Sequence, residues 1–398
     1  MQKLFWLLFV TSVIWGTSLP GIQIPILGTF YPLRIMLLLI FVGAFLFRKR
    51  LISNTVPAKR TYILWLIILF YGFLTVFWSI DQFVAISSQI IYITAFLVIF
   101  TCIAFVKDKI KLIIISKSYL INVWIIGLLS IYESFSGNFL YESGVRYLNT
   151  YNTLGFNTPV LFFYNINNLA TFMAISLPIC FIASEHMKLK WLNKLTIFLL
   201  CTFVVFLIDS RAALIAIFIF LLLYLLFQFE FKKILIYLFL SLLVVQYFSD
   251  VIFQSEVWEI TNSVDSDNIR IRIWTNTLMA ASDTYFIGFG PGNGPIANNM
   301  FQYVNTEDIF AIHNYFLEIL MELGFVGFIC FNLWLFLMFW GLNKMRKRKS
   351  NNRYIYNLLL IFIFQYLILS ICASSITEMY FIWLIFGLCV ASLNFPKD

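Results

Sequence analysis

Long apolar runs separated by short polar or basic stretches organise this chain from end to end. A helix that crosses a bilayer needs about 17–25 predominantly apolar residues. Runs of that kind occur at 4–20, 31–47, 61–78, 84–106, 112–133, 165–184, 194–209, 211–229, 234–250, 324–342, 354–373 and 375–393. The pattern predicts an all-α, polytopic integral membrane protein with about twelve transmembrane helices, residues 1–398 forming a single membrane domain. No small-x-small cleavage site follows the first run, which therefore reads as a spanning helix and not as a signal peptide. Two connections are too long to be simple turns: one from about Phe135 to Tyr164, and a larger external loop at 251–322.

Composition sharpens this. Apolar residues make up 62% of the chain and charged residues 12%, against about 45–50% and about 25% in soluble domains. Only a bilayer can solvate so much apolar surface. The net charge of +8 does not point to nucleic acid, because the positive charge sits in short runs between apolar segments, as in cytoplasmic loops. Arg48 to Arg50, Lys59 and Arg60, Lys107 to Lys111, Lys188 to Lys194, Lys232 and Lys233, and Lys344 to Arg353 all fall on one side when twelve spans are counted. That places both chain ends in the cytoplasm. The exceptions among the 27 basic residues are Arg34, Arg146, Arg211, Arg270 and Arg272, all on or near the external side and all Arg. A planar, permanently charged fork suits phosphate oxygens. The six cysteines lie inside apolar segments and lack metal-ligand spacing; they read as small buried hydrophobes.

Candidate chemistry is sparse. His186 lies in the basic stretch SEHMKLK, which leaves His313 as the one external histidine. An imidazole can exchange protons near neutrality, although a structural polar group is the plainer reading of a bare histidine. From His313 onward the sequence reads as a helix, with Asn314, Glu318 and Glu322 on one stripe and His313 on the next. Carboxylates entering an apolar helix need partners. Glu318 could orient His313 or pair with an arginine, and a packing salt bridge suits Glu322. Arg211, in IDSRAALIA, is either neutralised by Asp209 or holds an anion in an external cleft. The run GFGPGNG at 288–294 lacks the strand that a dinucleotide fingerprint requires; Gly290 and Gly292 read as a tight turn where backbone approaches a ligand. Asp265-Ser266-Asp267 reads as solvated loop. No external cluster has metal geometry, so neither metal nor cofactor is expected.

SRAALIA (210–216), RIRIW (270–274), GFGPGNG (288–294) and HNYFLEILMELGFVG (313–327), in this order, resemble the O-antigen ligase and O-antigen polymerase superfamily. The motif region covers about 205–330; FWSID (77–81) and YNINNLATFMAISLP (164–178) add weaker similarity. The resemblance implies a metal-independent membrane glycosyltransferase. It would move a glycan from an undecaprenyl-diphosphate carrier to an acceptor hydroxyl outside the bacterial cytoplasmic membrane. It implies catalytic roles for Arg211, Arg272 and His313, with Glu318 beside them. Arg270, Arg146, Asn314, Gly290 and Gly292 would contact substrate. A chain-length regulator and a flippase are the protein partners it suggests.

Polymerisation of surface polysaccharide is the preferred activity, because both long loops carry arginines. Ligation to lipid A core is the alternative within the same chemistry. A lipid-linked sugar transporter would place ionisable groups near mid-span, whereas here they gather at helix ends. A polyprenyl-phosphate-sugar transferase with an early acidic pair is disfavoured, since the loop at 20–30 has no Asp or Glu. A non-catalytic assembly partner in an envelope complex is the blandest alternative.

Overall fold

The computed structural model describes residues 2–19, 22–24, 28–46, 55–141, 151–152, 154–163, 165–228, 263–348, 352–371 and 376–395. Its helices are α1 Gln2–Trp15, α2 Pro32–Leu46, α3 Val56–Thr75, α4 Gln82–Phe105, α5 Lys109–Ser136, α6 Ile166–Ile175, α7 Leu177–Glu185, α8 Lys190–Leu207, α9 Arg211–Gln228, α10 Ser263–Asp283, α11 Gly294–Met300, α12 Tyr315–Lys347, α13 Arg353–Leu369 and α14 Tyr380–Ser392. Seven helical segments are long and apolar enough to cross a membrane, and four shorter apolar helices accompany them among the described residues. Every expected span except 234–250, which lies outside the described residues, coincides with a helix.

Local chemistry sets the boundaries. Asp81 and Asp108 cap α4 and α5, accepting from Val84 N at 3.0 Å and Lys111 N at 2.9 Å. Gly137, with φ +67°, ends α5. The span expected at 165–184 is two helices, because Pro178 has no amide to give the Ala174 carbonyl. Gln365 of α13 supplies the missing donor, its Nε2 reaching Ala174 O at 2.9 Å and Ala216 O of α9 at 3.1 Å. A buried polar backbone group left unmet at this depth costs several kcal/mol, on the order of a lost hydrogen bond or more. One carboxamide thus joins three helices.

The two long connections differ from simple loops. Glu133 folds the first back onto α5, accepting from Leu140 N at 2.9 Å, Val160 N at 3.2 Å and Leu161 N at 3.0 Å. The second, expected as a loop over 251–322, contains α10 and α11. These pack around a small apolar core of their own: Ala280, Ala281, Phe289, Ala297, Ile312 and Met321. Asn276 and Asn298 fix the intervening chain through Val304 and Phe310. A short hairpin, β1 Ile22–Ile24 with β2 Gly28–Phe30, lies between α1 and α2, with Gln23 opposite Thr29; it and an isolated bridge between Tyr151 and Asn157 are small additions to an otherwise helical chain among the described residues.

The decisive feature is a break in α12. Gly324 has φ 59° and ψ −163°, so the Phe325 amide and the Met321 carbonyl cannot pair with each other as an unbroken helix would have them. Each finds the glycine turn instead. Phe325 N donates to Phe286 O at 2.8 Å, Met321 O accepts from Phe289 N at 2.9 Å, and Glu322 O accepts from Gly290 N at 2.9 Å. No side chain fits in this joint. A Cβ on Gly324 would lie 2.3 Å from Phe286 O, and one on Gly288 would lie 2.5 Å from Glu322 O. Gly324→Ala therefore combines a disfavoured backbone with a backbone clash. It should cost at least about 1–3 kcal/mol, read as a lower midpoint of thermal unfolding in detergent. Gly43→Ala in α2, where an added methyl meets open space, should be neutral or slightly stabilising.

Candidate functional site

FWSID grips the turn from the other side. Trp78 Nε1 donates to Gly288 O at 3.0 Å, and Asp81 N to Asn293 Oδ1 at 2.8 Å. Tyr71 OH reaches Ile287 O at 2.9 Å. Gly290 and Gly292 have φ of +93° and +73°; a Cβ would stand 2.6 Å from Ser79 Cβ at the first and 2.0 Å from Ser88 Oγ at the second. The backbone does make a close approach here, as the glycine spacing suggested, but what it approaches is this chain's own α3–α4 connection and α12.

Behind the turn lies a cavity of about 160 Å³, walled by α4, the start of α12 and the turn before α14. His313, Glu318, Glu322, Glu378, Tyr92 and Gly292 line it. Glu322 accepts from the Gly292 and Gly294 amides and from Tyr92 OH at 3.3 Å. Its partners are amides and a phenol, not the salt bridge its sequence suggested. It locks the turn to the broken helix.

His313 sits before α12 and not on it. Asn314 is the cap: its Oδ1 accepts from Phe316 N at 3.1 Å and Leu317 N at 3.3 Å. That capping duty accounts for the side chain expected to bind substrate. His313 itself has φ +49°, a left-handed conformation costing about 1–3 kcal/mol in a non-glycine residue. Trp274 Nε1 holds the preceding carbonyl of Ile312 at 3.0 Å. The imidazole Nδ1 is buried with no hydrogen-bond partner in the described structure. Burial, then the Arg270 charge, holds the imidazole below its ordinary 6.5. Strain, burial and an unmet ring nitrogen at a cavity wall are the marks of a functional group. Glu318 shares the cavity but makes no hydrogen bond to His313.

The arginines separate. Arg270 and Trp274 are four residues apart on α10, hence on one face; Trp274 binds the Ile312 carbonyl and the Arg270 charge reaches His313. Arg272 points elsewhere, 3.8 Å from Glu307, with both side chains largely exposed. Arg211 opens α9 with an exposed side chain and does not line the cavity. Arg146 lies outside the described residues. Arg34, near the start of α2, hydrogen-bonds Tyr380 and acts on Glu378, whose carboxyl is raised by burial and pulled back by that charge. Tyr92 and Glu378 escaped the sequence reading, and Trp274 entered it only as the end of RIRIW with no role given to it. Only Trp274 carried a signal, its helical spacing from Arg270. Among the described residues no group of three His, Cys, Asp or Glu is arranged to hold a metal ion.

Residues 196–332 match a family model described as O-antigen ligase. The chain is also 22% identical over 350 residues to the teichuronic acid biosynthesis protein TuaE of Bacillus subtilis (strain 168), covering 81% of this chain and 69% of that one. The match over 196–332 and this relative support the O-antigen ligase and polymerase superfamily as the one this chain is similar to.

Proposed function

We propose that this protein polymerises a surface polysaccharide by transferring glycan from an undecaprenyl-diphosphate carrier to a lipid-linked repeat unit. The family match and the relative support the coarser statement, a membrane glycan polymerase or ligase for cell-surface polysaccharide. The observation that carries the finer one is the His313 imidazole, partnerless at Nδ1, at a cavity beside Arg270. In this scheme the acceptor hydroxyl yields its proton to His313 while its oxygen bonds to the anomeric carbon. The bond from that carbon to the diphosphate oxygen breaks, and the electron pair leaves with the lipid diphosphate. Arg270 meets the growing negative charge, aided by Arg211 and Arg272 at the same membrane face. Glu318 sits close enough to the cavity to contact the sugar. The site faces away from the basic clusters, hence outward across the bacterial cytoplasmic membrane. A flippase that delivers the lipid-linked repeat and a regulator of chain length complete the assembly.

The relative is named for teichuronic acid biosynthesis, which leaves the reaction open, while the family's description names ligation. Gel profiles of a strain lacking the protein separate polymerisation from ligation. Single repeats on lipid A core without long chains mean polymerase. Bare core with long carrier-linked chains means ligase. An unaltered lipid A profile with loss of another surface polysaccharide places the polymerase in that pathway.

His313→Ala should lower transfer about 10²–10⁴-fold while the protein inserts normally; normal product would remove the base role. Arg270→Lys should cost more activity than Arg272→Lys, because only Arg270 acts on the imidazole. An equal loss would mean that Arg272 leaves Glu307 when substrate binds.

Because the folded imidazole is held below 6.5, His313 stays neutral as pH falls through that value, and the acid limb of activity should lie below it. The unfolded chain takes up the proton first, so His313 contributes stability above about pH 6.5 that is lost on acidification. Nuclear magnetic resonance of the two histidines reads this directly. Arg270→Gln should move the His313 titration upward; a titration at or above 6.5 in the unaltered protein contradicts the burial argument.

A further inference from the structure

The other end of α12 carries a second cavity. About 180 Å³ opens between α3 and α12, beside the end of α14. Its polar rim is cationic: Arg60 from the start of α3, and Lys344 and Arg348 from the end of α12. Among the described residues none of the three has a carboxylate partner. Lys344 lies 5.6 Å over the Trp340 ring, and Arg348 reaches the Met345 sulfur at 3.5 Å. Behind this rim the walls are apolar, formed by Leu337, Met338, Val390 and Leu393. The slot is built rather than incidental, since Trp334 of α12 donates to Thr61 of α3 at 3.1 Å on its floor. It also opens toward lipid: Trp340 is 51% exposed and Phe336, one turn nearer mid-span, 61%.

Three cations with no acidic partner among the described residues, set around an apolar slot that continues into an exposed apolar stripe, fit an amphiphilic anion. We propose that this cavity holds the phosphate head of an anionic phospholipid, with an acyl chain lying along α3 and α12. Arg60 and Arg348 offer forks matched to phosphate oxygens, and basic pockets between spanning helices are suited to such head groups. A free phosphate ion would leave the apolar wall unfilled. The lipid would brace the joint between α3 and α12, the two elements that clasp the glycine turn at the opposite membrane face.

Native mass spectrometry of the full chain in detergent tests this, with phosphatidylglycerol and phosphatidylcholine as probes. One phosphatidylglycerol should be retained and no phosphatidylcholine. Arg60→Gln combined with Lys344→Gln should weaken retention about thirtyfold. Lys59→Gln combined with Lys347→Gln, exposed at the same end but outside the cavity, should change it less than about threefold. Leu337→Trp should displace the lipid with every charge in place. Equal losses in the two double variants would reduce the effect to diffuse surface charge and overturn the site. So would retention that survives both the Arg60/Lys344 change and Leu337→Trp. Inorganic phosphate that competes the lipid off at matched concentration would replace the lipid with a free anion.

Discussion

The structure depends on one broken helix repaired by one turn. Where α12 stops being helical at Gly324, its freed amide and carbonyls would be costly at the edge of a bilayer. The run from Phe286 to Gly290 meets them hydrogen bond for hydrogen bond. This joint explains why the two glycine-bearing motifs belong together: each supplies the backbone groups that the other lacks, at distances that exclude a Cβ. Trp78, Asp81 and Tyr71 hold the turn from behind, so the early FWSID segment is part of the same assembly.

The site inherits its geometry from that joint. Glu322, held by the turn's own amides and by Tyr92, fixes the first turns of α12 against α4. The cap at Asn314 then sets where the helix begins, and the residue before it is forced into a left-handed conformation. His313 is thereby placed at the cavity wall with a ring nitrogen that no described group satisfies. α10 adds the charge. Its helical period directs Arg270 and Trp274 toward this corner and leaves Arg272 to an exposed ion pair with Glu307.

The two ends of α12 differ in their cations. On the face away from the basic clusters, Arg270 acts on His313 and Arg34 on Glu378 at the wall of one cavity, whereas Arg211 and Arg272 lie off it. At the basic end, Arg60, Lys344 and Arg348 surround an apolar slot and have no acidic partner among the described residues. α12 runs from one to the other. Its break shapes the cavity at one end, and its basic end borders the apolar slot at the other.

Much of this was legible in the chain alone. Apolar run length determines spanning helices because no other structure satisfies backbone groups in hydrocarbon, and Lys and Arg placement determines which ends share a face. The histidine, the external arginines and the glycine run stood out for the same reason: each is costly or unusual where it lies. What the sequence could not decide was partnership. Helical periodicity put His313 on α12, whereas the Asn314 cap excludes it. The large loop read as irregular, yet α10 and α11 form because they bury a small core against Met321 and Ile312. The resemblance gave Arg272 a catalytic role and Arg270 substrate contact, but only the helix shows Arg270 turned toward His313 and Arg272 toward Glu307. Tyr92 and Glu378, distant in sequence, reach the cavity only through the packing of α4 and the turn before α14. Run length and charge are local properties of a chain, so they determined where it crosses the membrane. Which polar group meets which depends on contacts hundreds of residues apart, and only the tertiary structure decides those.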